Sequence, residues 1–174
     1  LQRHYIAAAR HVAEKLAGLE NVVGYDTLNE PLPGYIGCVD LDRPWGQITL
    51  GDGPTPLQGM ALGAGVPQEV GVWEMGTFAI RRRGSRVMNP SGVRAWRGGK
   101  PCIWQENGVW DLDAAGKPVL LRPDHFSRLD CRTVDFTEDF FRPFALRYAR
   151  EIRSADPRAV IFVEAGAGHW PPAI

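Results

Sequence analysis

Apolar residues recur at spacings of three and four along the first stretch. Ile6, Ala9, Val12, Ala13 and Leu16 form one stripe, which predicts an amphipathic helix stopped near Gly18. The pattern then changes. Val22 to Leu28 is a short β-prone run ended by Pro31, which predicts a strand leading into Asn29 and Glu30. Helical patterning returns at Asp135, where Glu138 stands three residues on, an arrangement similar to a capping box. The helix it predicts carries Phe140, Phe141, Phe144, Ala145, Tyr148 and Ile152 on one face. Pro143 is tolerated in its first turn, and Asp156-Pro157 closes it. Ala159 to Val163 is then a continuous apolar run ending in Glu164. Such a run predicts a strand buried on both faces, as in a parallel sheet.

Residues 32–134 read differently. They hold 16 of the 20 glycines and 9 of the 14 prolines, so much of this stretch must be loop. β-prone pieces at Val70–Trp73, Thr77–Ile80, Cys102–Trp104 and Val119–Leu121 predict small hairpins rather than one structureless connection. The order is helix, strand, insertion, helix, strand, and both strands end in a carboxylate. That order predicts a partial (β/α)8 barrel of about two strands with their helices, whose chemistry sits at the strands' C-terminal ends. The divisions are 1–31 (helix and strand), 32–134 (insertion) and 135–174 (helix and strand). A doubly wound sheet is the alternative, but Glu164-Ala-Gly-Ala-Gly-His169 is not a dinucleotide fingerprint.

Composition narrows the function classes. Twenty basic and twenty acidic side chains cancel, which argues against binding nucleic acid by phosphate neutralisation. Hydrophobic residues at 44% and charged residues at 23% are those of a globular chain rather than a disordered one. No run approaches the roughly 18 apolar residues of a membrane span. Cys38, Cys102 and Cys131 are odd in number and lack metal-type spacing, which fits a reducing compartment. His4, His11, His125 and His169 form no ligand pair, so no metal is expected. The chain begins at Leu1, already within the predicted helix, and reads as an internal piece of a longer protein.

Asn29-Glu30-Pro31 is the strongest candidate for chemistry. A glycosidase needs a carboxylic acid to protonate the leaving oxygen and a neighbour to hold the sugar hydroxyl. Glu30 and Asn29, adjacent at a strand end, can supply both. The bland reading is a carboxylate bonding a loop. Glu164 is a second strand-end carboxylate, suited to a substrate pocket or to bonding a neighbouring loop. Large aromatics are more often core than ligand platforms. Among them Trp104, Trp110 and Trp170, with Tyr35 just beyond Glu30, are the candidates for touching substrate, and His169 is near enough in sequence to join them. Arg81, Arg82, Arg83 and Arg86 form either a solvated loop or a contact with an anionic membrane surface.

A resemblance sharpens this reading. Val22-Val-Gly-Tyr-Asp-Thr-Leu-Asn-Glu-Pro31 resembles the fourth strand of glycoside hydrolase family 5. Gly34-Tyr-Ile-Gly37, Pro56-Leu-Gln58, Pro67-Gln-Glu-Val70, Asn89-Pro90, Cys102-Ile-Trp104, Gly108-Val-Trp110-Asp111 and Leu120-Leu-Arg-Pro123 are similar to the fungal-type glucosylceramidase and steryl-glucosidase branch. Endoglycoceramidases are relatives of that branch. The resemblance implies a retaining β-glucosidase acting on glucosylated lipids, with Glu30 as acid/base and Asn29 as its hydroxyl-binding partner. It implies a nucleophilic Glu on the seventh strand, whereas the run at Val160 counts as the fifth. The nucleophile would then lie outside these residues, and the 174-residue chain would be inactive alone. The implied partners are a glycolipid, the missing barrel segments and, at the periphery, a membrane. No cofactor is implied, since this hydrolysis uses two carboxylates and water. The rival reading is a non-catalytic carbohydrate- or lipid-binding module.

Overall fold

The structure is a computed structural model that describes residues 1–46, 49–166 and 170–172. In chain order its first elements are α1 (Gln2–Leu16), β1 (Gly24–Asp26), β2 (Gly51–Gly53), α2 (Pro56–Gly63), β3 (Gln68–Met75) and β4 (Ile80–Met88). There follow α3 (Ile103–Glu106), β5 (Trp110–Leu112), β6 (Pro118–Leu120), β7 (Arg128–Leu129), β8 (Arg132–Thr133), α4 (Arg142–Ala155) and β9 (Val160–Phe162). They divide into two compact units, one of Leu1–Ile36 with Val134–Ile174, the other of Gly37–Thr133.

In the first unit α1 packs on α4. Ile6 and Ala13 from α1 meet Phe141, Phe144, Tyr148, Ile152 and Ala159 in one buried cluster. Fully burying each large side chain contributes about 1.5–3 kcal/mol, so this cluster holds the unit together. The stripe on α1 is narrower than its period predicts, because Val12 is exposed; on the other helix Phe140 lies outside the buried face. Arg10 pairs with Glu151 across the two helices at 3.2 Å, an exposed pair of small energetic weight. Entry into α4 is a π-helical turn, Thr137–Phe141. Asp135 accepts from the Glu138 amide at 2.9 Å. The Asp135 amide in turn donates to the Asp139 carboxylate at 2.8 Å, not to Glu138.

β1 and β9 pair in parallel, with Gly24 opposite Val160, Tyr25 opposite Ile161 and Asp26 opposite Phe162. Parallel neighbours require a crossover, and the residues between them supply one that ends in α4. Pairing extends one bond past each end: the Val160 amide donates to the Val23 carbonyl at 3.1 Å and the Thr27 amide to the Phe162 carbonyl at 3.0 Å. Gly24 makes the pair possible, since a Cβ there would lie 2.0 Å from the Val160 carbonyl oxygen. Tyr25, Ile161 and Val163 face the helices. Val160 and Phe162 stay about half exposed on the opposite face. β9 is thus covered on one side, where the apolar run predicted cover on both, because the described residues include only two strands of this sheet and helices on one of its faces.

The second unit is built on the antiparallel sheet β2-β3-β4. α2 lies against β3 and β6, and Leu41, Leu57, Met60, Val70, Val109 and Trp110 are buried. α2 opens with a full capping box between Thr55 and Gln58. Two β-prone pieces fold otherwise. Thr77–Ile80 forms the turn and first residue of a hairpin, closed by the Gly76 amide on the Ala79 carbonyl at 2.9 Å. Cys102–Trp104 enters the short helix α3. β4 is an edge strand exposed along nearly its whole length, and its arginines suit an edge that must resist further pairing.

Candidate active site

Asn29 and Glu30 lie three and four residues beyond the last residue of β1, both exposed. The strand is shorter than propensity predicts because its only partner among the described residues, β9, matches it for three residues. The segment that follows is fixed at Thr27, which is fully buried. Its amide also donates to the Asp26 carboxylate at 2.8 Å, and its carbonyl accepts from the Tyr5 hydroxyl at 2.6 Å. Tyr5 had no signal of this role in sequence.

Glu30 itself adopts a left-handed backbone, φ +41°. That conformation is disfavoured for a residue with a Cβ, at about 1–2 kcal/mol, and strain of this kind concentrates at functional sites. A neighbour holds it: the Glu30 amide donates to Glu164 Oε2 in a long bond of 3.4 Å. The loops after the two strands also touch further on. A Cβ on Gly166 would lie 2.8 Å from the Pro31 carbonyl oxygen and 2.9 Å from Leu32 Cδ2. The parallel register therefore brings the Glu164 side chain to the backbone of Glu30, where it spends one oxygen on the amide.

Behind this edge two phenols are held neutral. Burial, then the neighbouring Tyr5, Asp26 and Tyr25, pushes Tyr148 up to about 12. Tyr25 is also raised, first by burial and then by the Asp156 carboxylate.

The other candidates are scattered. Tyr35 is half-buried in the same unit, five residues past Glu30. His169 lies outside the described residues. Trp170 is largely exposed. Trp104 belongs to the second unit, half-buried, with its ring edge-on to Trp96 at 5.7 Å. Trp110, put forward in sequence as a substrate contact, is fully buried and packs in the core of the second unit. A cleft of about 440 Å³ in that unit is lined by Asp42, Thr55, Gln58, Glu69 and Lys117 among others and contains none of the candidate site residues.

No family model matches the chain. Individual proteins do. It is 41% identical over 99% of its length to a glucosylceramidase of Rhizopus delemar, of which it covers 26%. It is 34% identical over 99% of its length to a glucosylceramidase of Aspergillus fumigatus, again covering 26%. The crystal structure of Cryptococcus neoformans sterylglucosidase 1 superposes on all of the chain with a TM-score of 0.89 and 32% identity, and the chain covers 28% of it. Along its whole length the chain is similar to these two proteins named glucosylceramidase and to this sterylglucosidase. It spans about a quarter of the length of these relatives. The ordered motifs that suggested this branch in sequence therefore correspond to a likeness along the whole chain. The fold is a piece of that glycosidase architecture, with helices and small sheets and no closed barrel among the described residues.

Proposed function

We propose that these residues supply the acid/base half of the active site of a retaining β-glucosidase acting on glucosylated lipids, glucosylceramide or a steryl glucoside. The observation that carries the proposal is the pairing of β1 with β9, which sets Asn29-Glu30 beside Glu164 in a chain similar to enzymes named for these substrates. β1 and β9 are read as consecutive strands of a (β/α)8 barrel. Residues 1–31 and 135–174 then belong to the barrel, and 32–134 is an insertion that follows β1 in the chain, as the loops that set barrel specificity follow their strands.

In the first step a carboxylate outside these residues attacks the anomeric carbon. The bond to the aglycone oxygen breaks, and Glu30 gives that oxygen its proton. In the second step water attacks the same carbon, Glu30 takes the water's proton, and the ester to the nucleophile breaks. Asn29 holds the sugar hydroxyl next to the reacting carbon. Glu164 is a positioning residue: its oxygen on the Glu30 amide stabilises the left-handed turn that aims the acid. Its place on the fifth strand, and its use on that amide, favour this over a nucleophilic role.

The test is hydrolysis of glucosylceramide and steryl glucoside by the protein that contains this chain, beside its Glu30→Gln variant. General acid catalysis contributes about 10²–10⁴-fold, and a loss of that size with an unchanged fold is expected. The 174 residues alone should hydrolyse neither lipid, because they hold half of the carboxylate pair. Turnover by the chain alone that vanishes in Glu30→Gln would overturn the placement of the nucleophile.

A further inference from the structure

The hairpin β3-β4 carries at its tip the most exposed aromatic side chain among the described residues: Phe78 is 99% exposed, and Met75 beside it is 64% exposed. The turn is closed by the Gly76 amide on Ala79, and a Cβ on Gly76 would meet the Ala79 carbonyl oxygen at 2.8 Å. The tip is thus a tight turn that presents Phe78 to its surroundings.

Behind it stand four arginines. Arg81 and Arg83 both clasp Glu74, at 3.0 and 3.1 Å, and hold its carboxyl below the usual range, chiefly through the Arg83 hydrogen bond. A bulge interrupts the ladder between Val72 and Trp73, opposite Arg83. Arg86 pairs with Asp52. Arg82 donates to the Gly84 carbonyl at 3.2 Å; no carboxylate among the described residues neutralises it. The paired guanidiniums remain largely exposed. Two acids, Glu69 and Glu74, stand against four arginines along the hairpin. Edge protection accounts for arginines on β4. It does not account for an apolar tip beyond them.

We infer that this tip is a docking element for an anionic lipid surface, with Phe78 and Met75 entering the interface and the arginines meeting lipid phosphates. An aromatic side chain with basic residues set behind it matches both layers of such a surface, apolar below and negatively charged above. The inference rests on the hairpin alone and stands apart from the chemistry of Glu30, although it would bring a lipid glycosidase to its substrate.

The experiment is flotation of the protein with phosphatidylcholine vesicles, with and without phosphatidylserine. Binding is expected on the phosphatidylserine vesicles and should fall as salt rises. Phe78→Asp should lower the partition coefficient about tenfold or more. Arg82→Glu should weaken binding to phosphatidylserine vesicles and leave phosphatidylcholine vesicles unaffected. Both side chains are solvent-facing, so circular dichroism and the unfolding midpoint should not change. Glu30→Gln should float like the wild type, which separates this test from the test of hydrolysis. Absence of binding to phosphatidylserine vesicles, or binding that Phe78→Asp leaves intact, would overturn the inference.

Discussion

Gly24→Ala is the smallest change that should dismantle the candidate site. The added Cβ would lie 2.0 Å from the Val160 carbonyl oxygen and 2.7 Å from its carbon, whereas ordinary contact begins near 3.4 Å. Both are backbone atoms, so no side chain can swing aside. The strands must separate by more than an ångström. The Val160-to-Val23 and Thr27-to-Phe162 hydrogen bonds, now 3.1 and 3.0 Å, would then be broken. Overpacking of this kind costs about 1–3 kcal/mol, and each backbone bond adds about 1 kcal/mol. Removing a glycine from the unfolded chain returns about 0.4–1 kcal/mol. The net destabilisation is about 2–4 kcal/mol. Urea unfolding reads the total, and amide exchange at Thr27 and Val160 reads the local opening. Gly84→Ala is the control, because a Cβ there meets nothing within 4 Å. If Gly24→Ala unfolded within about 0.5 kcal/mol of the wild type, the scale of an ordinary surface substitution, with protection at Thr27 unchanged, the close approach of β1 and β9 would be refuted.

Three further predictions concern the same unit. Gly166→Val should displace Pro31 and with it Glu30, lowering kcat for glucosylated lipids about tenfold, as misplacement of a catalytic group does, with a smaller change in KM; steady-state kinetics check it. Glu30→Gly should be about 1 kcal/mol more stable than Glu30→Ala because the backbone is left-handed there; paired urea titrations of the two variants read the difference. Tyr148 is raised to about 12, so its contribution to stability is complete below the unfolded-state value near 10 and is lost as pH rises towards 12; Tyr148→Phe should move the alkaline unfolding midpoint upward, followed by tyrosinate absorbance.

The 3.6-residue period makes α1 and α4 legible in sequence, since each buries one stripe against the other and local spacing carries that information. The parallel pairing is half legible. The apolar runs mark both strands, but their length is set by a three-residue register between segments more than a hundred residues apart. Glu30 could be singled out from Asn-Glu-Pro. Its contact with Glu164 could not, because it depends on that register. The middle of the chain is read least well. Thr77–Ile80 has strand propensity, yet Gly76 permits a tight turn and the ladder runs on either side of it. Cys102–Trp104 is similarly β-prone and becomes a helical turn closed by the Glu106 amide on the Cys102 carbonyl. α2 starts at the capping residues Thr55 and Gln58, within a stretch whose glycine and proline content reads as loop. Trp110 matched a family motif, and burial, which no motif reports, decides that it packs the core.

Glu30 is proposed as the acid/base. Azide rescue tests it most directly, in the protein that contains this chain and its nucleophile. An activated aryl β-glucoside needs no acid to leave, so the Glu30→Gln variant should still form the glycosyl-enzyme and then stall for lack of a base. Added azide, which needs no base, should accelerate turnover and yield β-glucosyl azide, while hydrolysis of glucosylceramide and steryl glucoside remains lost. A product of α configuration would assign Glu30 as the nucleophile, and activity insensitive to both the substitution and azide would remove Glu30 from the reaction.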